Sequence, residues 1–158
     1  MKISREVQQF WNDFAAARTD VTPETPFQVW HFGNTPELAD ELLDLVLQGK
    51  KYGTAALPWE FEDQPDQAPT VGTYSVVTDF YGRPKCVLRT TRVRILPFTE
   101  VDPEHAFSEG EGDQSLDHWR GVHWHYFSLQ CLELGREPFE NMPVICEEFE
   151  LIYPAPNK

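Results

Sequence analysis

NTPELADELLDLVLQGKKYGTAAL, residues 34–57, holds the clearest helix in the chain and its abrupt end. Thr35 is a good N-cap, because its hydroxyl can accept from an orphan N–H of the first turn, and Pro36 suits the first helical position. Glu37 and Asp40 sit near the positive end of the helix dipole. Leu38, Leu42, Leu45 and Val46 recur at helical spacing and predict one apolar stripe. Gly49 stands where a left-handed cap is expected. Lys50 and Lys51 therefore fall at or just past a helix C-terminus, where each cation gains about 0.3–1 kcal/mol from the dipole. That is one sufficient reason for the two lysines. A second is functional: Lys51 and Thr54, on a turn into a strand, can point into one pocket. As base or nucleophile such a lysine must lose its proton, which desolvation favours.

Outward from this stretch, REVQQFWNDFAAAR (5–18) places Val7, Phe10, Trp11 and Phe14 on one helical face, and TPETP (22–26) breaks it. FQVWHFG (27–33) reads as a short aromatic strand. DQPDQAP (63–69) is an exposed loop. VGTYSVVTDFYGRPKCVLRTTRVRIL (71–96) reads as a hairpin turning around Tyr81–Pro84, rich in strand formers. SLDHWRGVHWHYFSLQCLELG (115–135) is a long helix with Leu116, Trp119, His123, Tyr126 and Phe127 on one face, closed by Gly135. PVICEEFELIYP (143–154) is a last strand. No regular βαβ repeat is present, so the class is α+β.

The 158 residues fit one domain, and 41% hydrophobic residues are enough for a core. Asp and Glu number 26 against 13 Lys and Arg, a net charge of −13. A broad basic face for duplex DNA is excluded, since phosphate neutralisation supplies most non-specific affinity. A small ligand or a short single strand fits better. Cys86, Cys131 and Cys146 form no CxxC and read as reduced core residues. MKISREVQQFWNDF lacks the apolar stretch of a secretion signal, and no run of about 18 apolar residues occurs, so a soluble cytoplasmic protein without a membrane partner is expected.

SEGEGDQS (108–115) alternates Glu109, Glu111 and Asp113 with glycines. It does not meet the EF-hand pattern. Asp113 or Ser115 can cap the next helix, and the double glycine also suits a loop that approaches a pocket. His118, His123 and His125 are spaced five and two apart, which does not put a zinc ligand pair on one helical face. His123 shares a face with Trp119 and Tyr126, where a half-buried packing role is expected. No metal and no cofactor are expected. GxSxG, Walker and GxGxxG sequences do not occur.

WHFGNTPELADELLDLVLQGKKYGTAAL, PTVGTYSVV, GRPKCVLRTTRV, PFTEVD and AFSEGEGDQSLDHWRGVHWHYF together resemble the ASCH domain family, from about Val29 to Tyr153. The resemblance implies a PUA-like fold: a single-domain β-barrel spanning 27–158 with flanking helices, residues 1–26 being a helix and linker packed on it. It also implies a link to RNA and modified nucleosides. One branch of the family is a nucleoside amidohydrolase that removes the acetyl group from N-acetylcytidine with a Lys, a Thr and a Glu. These fall on Lys51 and Thr54 of the Gly49-x-Lys51-x-x-Thr54 element, and on Glu109 through an A-x-x-E match at Ala106–Glu109. That branch is shorter and lacks EGEGD, and it has a small threonine where this chain has Tyr52.

The leading expectation is therefore amide hydrolysis on an acylated nucleoside. Lys51 would be nucleophile or base, Thr54 would hold or relay a proton, and Glu109 would be the acid/base partner. The alternative is a module binding a nucleotide or short single-stranded RNA, with Lys51 and Arg92 on phosphate and Tyr52 or Trp59 stacked on a base. A metal-independent ribonuclease would use the same pocket. Lys51, Thr54 and Glu109 are expected to converge on one cavity. Loss of Lys51 or Glu109 is expected to abolish turnover and leave thermal stability nearly unchanged.

Overall fold

The structure, a computed structural model, describes residues 3–154. Ser4 opens α1 (Arg5–Ala16) by accepting from the Val7 N–H. Val7, Trp11 and Phe14 are buried, and the Trp11 ring stacks on Phe27 at 4.3 Å between centroids. Phe27 begins β1 (Phe27–His31). Thr35 then caps α2 (Pro36–Leu47) through the Leu38 N–H. Ala39, Leu42, Leu43 and Val46 form the buried face of α2. Gly49 adopts φ +80°, the left-handed end that the sequence implied. The chain continues into β2 (Gly53–Ala56) and the hairpin of β3 (Tyr74–Thr78) and β4 (Pro84–Pro97), then α3 (Pro103–Glu109), α4 (Leu116–Glu133) and β5 (Pro143–Tyr153).

The five strands form one sheet in the order β1-β3-β4-β5-β2. β1 and β3 are parallel, and every other pair is antiparallel. α1 packs on the β1–β3 part of the sheet, where Tyr74, Val76 and Val87 are buried. α2 covers Val77, Leu88 and Phe149, while α4 packs with Leu57, Phe98 and Val144. β1 and β2 are the two edges of this barrel-like sheet, and both line one cavity. The architecture is a single α+β domain. All three cysteines are buried and free. Among the described residues no helix is long and apolar enough to cross a membrane.

One element departs from the sequence reading. Residues 103–109 form a helix that the reading did not include, and Ser108 and Glu109, read as the start of a loop, are its last turn. Asp102 caps it by accepting from the His105 N–H, and Pro103 occupies the first turn. Arg94 of β4 clamps the Asp102 carboxylate with two hydrogen bonds at 2.6 and 3.2 Å. The Arg94 hydrogen bonds hold the Asp102 carboxyl at about 2. Seven residues are too few to show a full apolar period, so periodicity passes over α3.

Candidate functional site

The cavity at the seam between the two sheet edges has a volume of about 300 Å3. β1 contributes Val29, Trp30 and His31. Lys51, Thr54, Glu109, Glu111, His123 and Glu147 also line it. Its size is at the lower end of small-molecule sites, roughly 300–1,000 Å3.

Local geometry explains how Lys51 enters this space. Its backbone N–H, like that of Lys50, donates to the Leu45 carbonyl at 3.0 Å as α2 ends. The Tyr52 N–H then donates to the Ser108 carbonyl at 2.8 Å, tying the entry of β2 to α3. Gly53 permits this contact, because a Cβ there would lie 2.0 Å from Ser108 Oγ. Gly110 ends α3 at φ +71°, and a Cβ on it would lie 2.6 Å from the Lys50 carbonyl oxygen. Gly110 of EGEG thus serves close approach, while Gly112 lies against the His118 ring: the loop after α3 wraps the lysine turn and brings Glu109 and Glu111 to it.

Lys51 is 2% exposed. Its Nζ donates to the Glu109 carbonyl at 3.2 Å and pairs with Glu109 Oε1 at 3.4 Å and Glu111 Oε2 at 3.3 Å. It also lies 5.4 Å from the centre of the Phe32 ring. Glu109 is the hub. Its Oε2 accepts from His105 Nε2 at 2.8 Å and from Trp119 Nε1, and its Oε1 faces Lys51 and, at 3.3 Å, His123 Nε2. Burial alone would raise the Glu109 carboxyl. The charges of His123 and Lys51 and the histidine hydrogen bonds overcome it and hold the carboxyl well below the usual range.

His123 has acceptors on both sides. Nδ1 faces the Trp119 carbonyl at 2.9 Å, and Nε2 faces the Glu109 carboxylate. Neither partner can donate, so the surroundings favour hydrogen on both ring nitrogens. Burial opposes this charge, but Glu109 reverses the balance and raises His123 above the ordinary imidazole value. The expected packing role is real as well: the ring stacks on Trp119 at 4.2 Å, with its edge turned to the carboxylate. Two cations, Lys51 and His123, thus balance two carboxylates, Glu109 and Glu111.

Thr54 lies directly opposite Glu147 in the β2–β5 pairing, and both line the cavity. Glu147 Oε2 accepts from the Thr90 hydroxyl at 2.7 Å. Burial raises the Glu147 carboxyl, and the Thr90 hydrogen bond offsets this only in part. One cavity therefore holds two buried carboxyls moved in opposite directions.

The other three candidates lie elsewhere. Tyr52 is exposed and does not line the cavity. Trp59 carries the Arg136 guanidinium over its ring at 4.4 Å and packs near Phe139. Arg92 is half-exposed and paired with Glu104 at 2.9 Å and Glu148 at 3.2 Å. Sequence reasoning did not assign Glu111, His123 and Glu147 to the site. Glu111 was visible as the second acid of EGEG. Glu147 carried no such signal: it is one of three glutamates in β5, and the β2–β5 register is what sets it opposite Thr54.

The metal expectation needs one correction. Glu109, Glu111 and His123 place ligand atoms within 4.8 Å of one another, a set that helix spacing along α4 could not reveal. Lys51 Nζ pairs with both of these carboxylates, so the negative charge a divalent cation would use is already neutralised.

Residues 28–153 match the family model described as the ASCH domain. No curated protein matches the chain. Among solved structures, the ASCH domain from Lactobacillus crispatus JV V101 is similar at 29% identity and a TM-score of 0.87, over 96% of each chain. A protein from Enterococcus faecalis V583 is similar at 27% identity and a TM-score of 0.83, covering 94% of this chain and 88% of its own. A third structure, of a hypothetical protein, shares the fold at 19% identity and a TM-score of 0.51. The fold is PUA-like, and the chain belongs to the ASCH domain family.

Proposed function

We propose that the seam cavity takes one acylated nucleoside and hydrolyses its amide bond, and that Lys51, Thr54 and the Glu109–Glu111 pair form the reacting centre. The observation that carries this reading is the placement of Lys51 Nζ, buried between two carboxylates at a nucleoside-sized cavity. A fixed ammonium there suits the oxygen of an amide carbonyl. As Glu111 takes the water proton it gives up its hold on Nζ, and the developing oxyanion accepts that hydrogen in a charge-assisted bond in a site of low dielectric.

The structure supports a different division of labour from the one the resemblance implied. Glu109 already receives four donors and is held as an anion, so it is a poor proton acceptor. It orients Lys51 and His123. Glu111, whose side chain is 23% exposed, has only Lys51 as an ion-pair partner among the described residues, and it is the carboxylate left to take the proton of the attacking water. Thr54 is the hydroxyl that relays protons along the cavity wall. A long RNA strand is the weaker reading, because the cations it would follow are engaged: Arg92 with Glu104 and Glu148, Arg94 with Asp102, and Arg136 with Glu62.

The test is a panel of acylated nucleosides, N-acetylcytidine among them, followed chromatographically for release of the free nucleoside. Lys51→Met should lower turnover by about 100-fold or more, the usual cost of one lost oxyanion donor. Inertness of the wild type toward the whole panel, with cleavage or tight binding of short RNAs, would replace this reading with the ribonuclease or binding module.

A further inference from the structure

We propose that Glu147 is the proton donor of the cavity, handing its carboxyl hydrogen to the nitrogen that leaves as the amide C–N bond breaks. The inference rests on the hydrolytic reading above and adds the acid that such a reaction requires. An amide nitrogen expelled without a proton is a very poor leaving group, so the reaction needs a group that arrives protonated.

The geometry singles out Glu147. It is 6% exposed, in the middle of β5, and it lines the cavity opposite Thr54. Its β4 neighbours are Val93, directly across the pairing, and Thr90, whose hydroxyl fixes Oε2. Among the described residues that is its one side-chain hydrogen bond, and it has no ion pair. The titratable groups that share the cavity are His31, Lys51, Glu60, Glu109, Glu111, His123 and Tyr126. The two that carry positive charge, Lys51 and His123, are turned to Glu109 and Glu111. A charge on Glu147 would therefore be buried without a counter-ion, which is costly, whereas the neutral acid is not. Glu109, with four donors, has the opposite environment. Two carboxyls driven apart in this way take opposite roles, one anionic and one proton-holding.

The step balances. Glu111 takes a proton from water, and the water oxygen bonds to the acyl carbon. The C–N electron pair goes to nitrogen, which receives the Glu147 proton. The products are a carboxylic acid and the free amine. Glu147 is left as a carboxylate and Glu111 as an acid, and a proton passing between them by way of Thr54 and water resets the site.

Glu147→Gln is the test, because glutamine mimics the neutral acid in shape and cannot release a proton. The first arm needs no substrate. Thermal melts should coincide near pH 4, and the variant should melt higher by about 3 °C or more near pH 8, where the folded wild type must keep Glu147 protonated or bury its charge. Coincident melts across the whole range would mean that Glu147 ionises normally, and would overturn the proposal. The second arm uses N-acetylcytidine. KM should stay within about twofold and kcat should fall by about 10²–10⁴, with a smaller loss on 4-nitrophenyl acetate, whose leaving group needs no proton. An unchanged kcat on N-acetylcytidine, with the stability shift present, would leave Glu147 a buried acid without a donor role. If the wild type hydrolyses no acylated nucleoside, the hydrolytic reading fails and the donor role fails with it, while the first arm still reports the proton on Glu147.

Discussion

Replacing Lys51 by methionine tests whether the buried ion pair is what the site is built on. The substitution keeps most of the side-chain volume and removes one charge. Lys51 Nζ is paired with Glu109 at 3.4 Å and with Glu111 at 3.3 Å, and Glu109 is buried. Removing one partner of a buried pair costs about 3–5 kcal/mol, mostly through the charge left behind. Glu109 would keep His105, Trp119 and His123, so the lower end applies, about 3 kcal/mol. For a domain of about 150 residues, each kcal/mol moves the melting temperature by about 2–4 °C, giving a drop of about 6–12 °C. The sign with pH follows from Glu109, whose folded carboxyl lies below its ordinary value of 4.5. Its stabilisation is complete above that value and is lost as pH falls through the depressed folded value. The Lys51→Met deficit should therefore be full at neutral pH and shrink in acid. Circular-dichroism melts from about pH 3 to about pH 8 read both quantities. A deficit under about 2 °C at neutral pH, or one independent of pH, would refute the buried pair. This replaces the sequence expectation that loss of Lys51 leaves stability nearly unchanged, which took no account of a carboxylate stranded in the interior.

His123 lies above its ordinary value of 6.5, so its stabilisation is complete below that value and is lost as pH rises through the folded one. His123→Gln should flatten the alkaline decline of the melting temperature, leaving the slope of the carboxyls that burial raises, Glu147 and Glu60; an unchanged slope would count against an imidazolium. Gly53→Ala forces a Cβ against Ser108, and guanidinium titration should show a loss of about 1–3 kcal/mol, recovered in part by adding Ser108→Gly. No recovery would mean that the β2–α3 contact is not the source of the strain. Arg92→Ala breaks two exposed pairs and should cost under about 1 kcal/mol, with turnover within about twofold of wild type; a large loss of turnover would return Arg92 to the substrate.

The parts of the fold legible in the sequence are those whose causes are local. Thr35, Pro36 and Gly49 fix both ends of α2 through groups within four residues, and the two lysines follow from where that helix stops. Lys51 and Glu109 were legible by another route, as positions of a family pattern. Glu147 was not, because its meaning depends on the β2–β5 register that sets it opposite Thr54 and on the β4 neighbour Thr90 that holds its Oε2. Trp59 and Arg92 were chosen by residue type, and type carries no direction: one supports Arg136 and the other binds acids outside the cavity.

Adjacent lysines with opposite fates show why the helix-dipole and pocket readings of that turn do not exclude each other. Both backbone N–H groups end on the Leu45 carbonyl, so both residues belong to the same helix terminus. Lys50 remains exposed there, where the dipole account suffices. Lys51, one residue on, enters β2 at a sheet edge that pairs with β5 on one side and borders the cavity on the other. The backbone thus turns its side chain inward at the place where the sheet stops covering the interior. A buried lysine needs a carboxylate, and the nearest chain is the end of α3, held close by Gly53 and Gly110. The acids of EGEG meet the lysine there, and Gly110 between them, with Gly53 on the lysine side, lets the two segments touch.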